Sequence, residues 1–203
     1  MDRRLKKISE LVEEGIGCVD VGTDHAYVPI LLRKSGYKGN IIATDINKEP
    51  LNNARKNASG FDNIEFLLTD GLNGVDNSKI DTVIIAGMGG DLICDILDRA
   101  EWTMNDKFHL ILQPMTKPEV LRYWLINNGY SILKEVFIDG YVIISVRFLD
   151  QNTCYNDYEL FLGKTPSEEY FLKQYGHLKK VKNSEFFSNI VKELENDYSK
   201  RDF

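Results

Sequence analysis

Five short apolar runs, interleaved with helix-like segments and closed by a paired ending, constrain the fold more than any other feature of this chain. The runs cover 17–22, 40–45, 63–68, 80–86 and 108–112. Helical patterns precede the first run, with Leu5, Ile8, Leu11 and Val12 on one face, and fill 26–34, 48–57, 90–97 and 116–126. Pro29 and Pro50 fall in first turns, where a missing N–H is tolerated. Asn47 and Thr116 stand where N-caps belong. The last two runs, YSILKEVFID and YVIISVRFLD around Gly140, read as an antiparallel hairpin. Alternation of this kind predicts an α/β fold with a mostly parallel sheet covered on both faces. Such sheets bind ligands beyond the carboxyl ends of their strands, where the strand order reverses.

Asp20, Asp45, Asp70, Gly87 and Gln113 sit at or just past the ends of the five runs. The first loop, in VDVGTDHAYVPILL, begins like a dinucleotide-binding turn and departs from it. After Gly22 the chain reads TDHAY, so the GxGxxG spacing fails at its second glycine. That spacing lets backbone N–H groups approach a pyrophosphate. S-adenosylmethionine (SAM) has no phosphate and carries an ammonium and a sulfonium, so acids around the turn suit it. Asp45, with 24 residues between it and Asp20, is placed to accept both ribose hydroxyls, and Asp70 to accept from the adenine amino group. Each acid also has a structural alternative: a helix cap or turn acid for Asp20, an Asx turn for Asp45, a turn pair with Gly71 for Asp70.

The longest apolar runs are too short to span a bilayer, and the opening MDRRLKKISELVEE is charged rather than signal-like. A cytoplasmic, membrane-free monomer is expected. Cys18, Cys94 and Cys154 are scattered and read as small buried hydrophobes; with His25, His109 and His177 isolated, no metal spacing appears. The formal charge of −6 argues against generic polyanion binding, yet a focused basic surface can still hold nucleic acid.

After Asp150 the alternation stops. Ser167 caps a helical stretch with Phe171, Leu172, Tyr175, Leu178 and Val181 on one stripe, and a second stretch from Ser184 carries Phe187, Ile190, Val191 and Leu194. Residues 1–150 thus form the sheet domain and 151–203 a small α-helical one, whose Lys173, Lys179, Lys180 and Lys182 can meet phosphates or form a solvated helix face.

VDVGTDHAYVPILL, ATDINKEPLNNARKN, IIAGMGGDLICDIL and LILQPMTKPEVLRYWLINNGY together closely resemble the bacterial tRNA (adenine-22-N1)-methyltransferase family, often called TrmK. Met115 departs from the family, which often has Asn there, and the C-terminal region is short. The resemblance implies a class I SAM-dependent, Rossmann-like methyltransferase domain and a helical, coiled-coil-like domain that positions tRNA. It implies methyl transfer to N1 of an adenine in the D-arm region, with S-adenosylhomocysteine as product. It assigns Asp20 and Gly22 to the methionine end, Asp45 with Ile46 to the ribose, Asp70 with Gly71 to the adenine, and Gly87, Met88 and Gly89 to the floor beside the methyl group. No Asp-Pro-Pro-Tyr set follows the fourth run, which suits a ring nitrogen better than an exocyclic amine. Neutral N1 already has a lone pair, so a carboxylate is needed only to stabilise the cationic product. Asp24 is the first choice, also bordering the cofactor with His25; His25, Tyr27 and Gln113 are its polar or stacking partners. A methyltransferase acting on another RNA or a small molecule, or a non-catalytic SAM-binding module, stays open.

Overall fold

The computed structural model describes residues 2–151 and 153–178, together with Lys192 and Asn196. The elements are α1 (Arg3–Leu11), β1 (Gly17–Val21), α2 (Tyr27–Ser35), β2 (Asn40–Asp45), α3 (Lys48–Asn57), β3 (Ile64–Leu68), β4 (Thr82–Gly89), α4 (Gly90–Asp98), β5 (His109–Thr116), α5 (Pro118–Asn127), β6 (Tyr130–Ile138), β7 (Tyr141–Phe148), α6 (Asp157–Leu162) and α7 (Glu168–Leu178). The sheet order is β3-β2-β1-β4-β5-β7-β6, with β1 to β5 parallel and β7 antiparallel to both β5 and β6. This is the mostly parallel α/β sheet with a final antiparallel hairpin that the alternation predicts, and the Rossmann-like fold that the resemblance implies. The order runs outward from β1 through β2 to β3, then from β4 the other way. The reversal between β1 and β4 opens a crevice at their carboxyl ends.

Period-two side-chain alternation divides the core. On one face Cys18, Ile84, Ile111 and Ile143 pack with Ile8 of α1 and Val28 and Leu32 of α2. On the other, Val83, Ile85, Leu110, Leu112 and Ile144 pack with Ile93 and Leu97 of α4 and Leu121 and Leu125 of α5. His109 is buried, its Nε2 2.7 Å from Ser145 Oγ, and burial lowers its pKa. Cys18 and Cys94 are buried as expected, whereas Cys154 is exposed, in the irregular segment before α6.

Two local expectations change. β4 and β5 run several residues longer than their apolar runs, because Met88 and Gly89 keep pairing with Pro114 and Thr116 across two register shifts. Thr116 is therefore the end of a strand and not a cap; Lys117, at φ +54°, occupies the N-cap position of α5. Gly90 makes this possible, since a Cβ there would collide with the Lys117 carbonyl oxygen.

Helices α6 and α7 lie against the α4–α5 face. Asn156 and Glu159 form a capping box at α6, and Ser167 Oγ accepts from Tyr170 N at 3.3 Å at the start of α7, as its cap position predicts. Phe161, Leu162, Tyr170 and Phe171 are buried in the same cluster as the sheet residues. The fully buried Arg122 of α5 joins them: its Nε donates to Glu135 Oε1 at 2.7 Å, and its Nη1 to the Leu160 and Phe161 carbonyls at 2.8 and 3.1 Å. The sheet ends near Asp150, as expected, but the first two helices beyond it share its core. Phe187, Ile190, Val191 and Leu194 of the stretch expected from Ser184, with Lys179, Lys180, Val181 and Lys182, lie outside the described residues. No helix among the described residues is long and apolar enough to cross a membrane.

Candidate cofactor crevice and methyl-transfer site

The crevice is floored by the loop after β1. Thr23 N bonds the Thr44 carbonyl at 2.8 Å, carrying the β1–β2 ladder one step past the strand. Gly22, Asp24 and Ala26 then take φ values of +70°, +50° and +57°. A glycine-rich loop would place glycines at such positions. Here an aspartate, which tolerates the left-handed region, and an alanine serve instead. Ala26 is fully buried against Ala54 and Ala58 of the α3 region, so a small residue is needed for α2 to pack there. At Gly22 a Cβ would meet only the flexible tip of Met88, so its φ of +70°, rather than crowding, is what favours glycine there.

Asp20 is 5% exposed, and its Oδ2 accepts from Thr23 Oγ1 at 2.6 Å. Burial pushes its pKa up to about 7; the Thr23 hydrogen bond opposes the rise and the Asp45 charge adds to it. Asp45, buried at the end of β2, accepts from Asn47 N at 2.8 Å and from Asp24 N at 3.3 Å. The Asx turn is therefore real. Each carboxylate oxygen has a further lone pair, so these bonds leave Asp45 able to accept from hydroxyl groups. Ile46 beside it is exposed.

Asp70, past the end of β3, is held by Arg99 of the turn after α4, with Nη1 at 2.5 Å and Nη2 at 3.3 Å. That guanidinium keeps the carboxyl below the usual carboxylate range. Gly71, at φ +61°, accepts from Thr44 Oγ1 at 3.2 Å. Gly87, at φ +81°, donates its N–H to Gln113 Oε1 at 3.2 Å, and Gly89 closes β4 beside Thr116.

Asp24, His25 and Tyr27 gather at the rim. Asp24 Oδ2 lies 3.5 Å from His25 Nε2, the His25 and Tyr27 rings are 5.4 Å apart, and the Asp24 and His25 side chains are 64% and 41% exposed. Gln113 is not with them. It has no exposed surface, its Oε1 accepts from Gly87 N and from Arg4 Nη1 at 2.6 Å, and its Nε2 donates to the Pro114 carbonyl at 2.7 Å. A group so enclosed cannot face a substrate as expected; its amide fixes the Gly87 turn. Arg4, Thr23 and Arg99 escaped sequence reasoning. Thr23 was legible three positions after Asp20, but Arg4 and Arg99 meet partners 109 and 29 positions away.

Residues 1–144 match the family model described as Methyltransferase domain. The chain is 29% identical to the tRNA (adenine(22)-N(1))-methyltransferase of Bacillus subtilis (strain 168), over 98% of this chain and 83% of that one. Its structure is similar to that of the Streptococcus pneumoniae protein Sp1610 in complex with S-adenosyl-L-methionine, with a TM-score of 0.87, 25% identity and coverage of 97% and 98%. It is also similar to M. capricolum TrmK in complex with S-adenosyl-homocysteine, with a TM-score of 0.73, 27% identity and coverage of 98% and 95%.

Proposed function

The chain belongs to the methyltransferase-domain family, and from that premise we propose that it transfers the methyl group of SAM to N1 of adenine 22 in tRNA. The observation that carries the reading is the row of carboxylates at the ends of β1, β2 and β3, around a turn that adopts left-handed geometry without a phosphate-binding glycine set. These residues fit SAM: Asp45 retains lone pairs for ribose hydroxyls, Asp20 offers a buried acid for the ammonium, and Gly22 and Gly87 let the backbone approach. When bound, SAM supplies an electrophilic methyl group.

Asp20 and Asp45 hold and orient the methionine and ribose ends, and Asp70, braced by Arg99, borders the adenine with Gly71 and Ile46. Gln113 holds Gly87, which with Met88 and Gly89 floors the transfer position. Adenine N1 attacks through its own lone pair, so no residue removes a proton first. Asp24 accepts from the exocyclic amino group as positive charge develops, with His25 and Tyr27 as stacking faces. Transfer to a neutral ring nitrogen calls for no metal, and the reading places the enzyme with tRNA in the cytoplasm. The helices after the sheet position the tRNA. Incubation with tritiated-methyl SAM and unmodified total tRNA should yield radioactive 1-methyladenosine on nucleoside analysis. Binding of S-adenosylhomocysteine without label in tRNA would overturn the reading.

A further inference from the structure

The first turn of α1 carries two adjacent arginines with opposite fates. The Arg3 side chain is 70% exposed and pairs with Asp139 at the surface. The Arg4 side chain is 16% exposed and reaches the end of β5. There its Nη1 donates to Gln113 Oε1 at 2.6 Å and lies 3.0 Å from Met115 Sδ. Asp2, the N-cap of α1, takes Nη2 at 3.1 Å. The Tyr141 ring at the start of β7 has its centroid 5.7 Å from Arg4 Cζ and 3.9 Å from Lys173 Nζ. One turn on, Ile8 is buried with Ile84, Ile111 and Ile143, which anchors α1 to the sheet. The guanidinium is therefore held by β5, by the helix cap and by β7.

Its chief partner stands at a break in the β4–β5 ladder. Ala86 pairs with Gln113 and Met88 with Pro114, so Gly87 is an extra residue, bulged out at φ +81°. A bulged N–H has lost its ladder partner and needs another acceptor. The Gln113 side chain supplies one, with Oε1 3.2 Å from Gly87 N. That amide has few ties of its own. Its Nε2 donates to the carbonyl of the next residue, Pro114, and would turn with it. Gly87 is the group to be held. Arg4 is the partner that comes from a separate element, and its bond is charge-assisted and shorter than the one from Gly87. Both lone pairs of Oε1 are then used, one by each donor.

We propose that Arg4 is a positioning residue for methyl transfer: through Gln113 it fixes the Gly87 bulge, and with it the line of Met88 and Gly89 along the floor of the transfer position. The inference rests on the methyltransferase reading above and adds α1 to the parts that build the site. In this role Arg4 touches neither cofactor nor substrate.

The test uses the full chain, with Arg3→Met as the control that removes the same charge from the same turn. In Arg4→Met, hydrogen exchange followed by NMR should quicken at least about tenfold at the Gly87 amide and less than about twofold at the buried Val19 and Ile84 amides. Single-turnover transfer should slow about tenfold, while S-adenosylhomocysteine affinity and the KM for tRNA stay within about threefold, because the strand-end acids are untouched. Arg4→Lys, which keeps a donor on an aliphatic stem, should recover part of the loss, and it replaces Arg4→Met if that variant does not fold. In a Gln113→Met background, Arg4→Met should cost no more than about a further twofold, since the group it acts through is gone. Arg3→Met should match wild type throughout. Unchanged Gly87 exchange, uniformly faster exchange across the core, or full additivity with Gln113→Met would overturn the positioning role while leaving the methyltransferase reading intact. So would a raised KM for tRNA at unchanged kcat, which would put the guanidinium on the RNA instead. If the wild-type chain labels no tRNA, the reading and the positioning role fall together, and Gly87 exchange then shows only whether the brace exists.

Discussion

Asp24 combines a left-handed backbone with an exposed carboxylate, and substitutions can separate the two. Glycine relieves the backbone and removes the acid. Asp24→Gly is therefore expected to be neutral or slightly stabilising, within about 1 kcal/mol, while turnover falls at least about tenfold. Thermal melting and single-turnover methylation check the two halves. Full activity in Asp24→Gly would reduce the residue to a loop acid. Asp20 gives a pH signature. Its pKa in the folded chain, about 7, lies above the ordinary 3.8, so the folded state holds the extra proton between these values. Its contribution to stability is fully present below about pH 4 and is lost as pH rises towards 7. The stability difference between wild type and Asp20→Asn should thus shift against wild type across this window, as urea titrations would show. Ligand binding should have the opposite slope: the ammonium of S-adenosylhomocysteine favours ionised Asp20, so its affinity should rise from pH 6 to 8 in wild type and stay flat in Asp20→Asn. The strand-end acids were legible because strand and turn are local. Arg4 and Arg99 were not, because only the folded sheet brings α1 to Gln113 and the end of α4 to Asp70.

Among the elements, the junction of β4, α4 and β5 depends most on one small residue. Gly90 starts α4 where any Cβ would meet the backbone oxygen of Lys117, an atom with no rotamer to escape through. Gly90→Ala should cost about 1–3 kcal/mol of stability by chemical denaturation, the range of an overpacked site. Gly60→Ala, where nothing lies within 4 Å, serves as the control. The same junction explains why two strands outrun their apolar runs. The glycine run and the Gln-Pro-Met-Thr segment have little strand propensity alone, so Thr116 resembles a cap. They extend as strands because each supplies the other's pairing partner, a tertiary effect that overrides local preference. The hairpin of β6 and β7 was legible because its alternation and central Gly140 are contained in one stretch.

For the whole molecule, the sheet is complete before α6, yet its core is not. Phe161, Leu162, Tyr170 and Phe171 each bury a large side chain in the cluster behind α5, and Arg122 gives two hydrogen bonds to carbonyls of α6. A chain ending at Asp150 would expose that cluster and leave a buried guanidinium short of acceptors, a loss of several kcal/mol. Its melting temperature should fall well below that of a chain ending at Leu178, and only the longer one should retain S-adenosylhomocysteine binding at 37 °C. Equal stability would show that α6 and α7 merely rest on the domain. The parallel sheet and its crevice were readable from alternation, while this dependence was not, since helical periodicity does not say which surface a stripe covers. The meeting of Arg4 and Lys173 over the Tyr141 ring has a practical consequence for handling the protein. A tag fused ahead of α1 begins beside that ring, so any charge it carries alters the electrostatics around both cations. Kinetics meant to describe the chain itself are best measured with that tag cleaved.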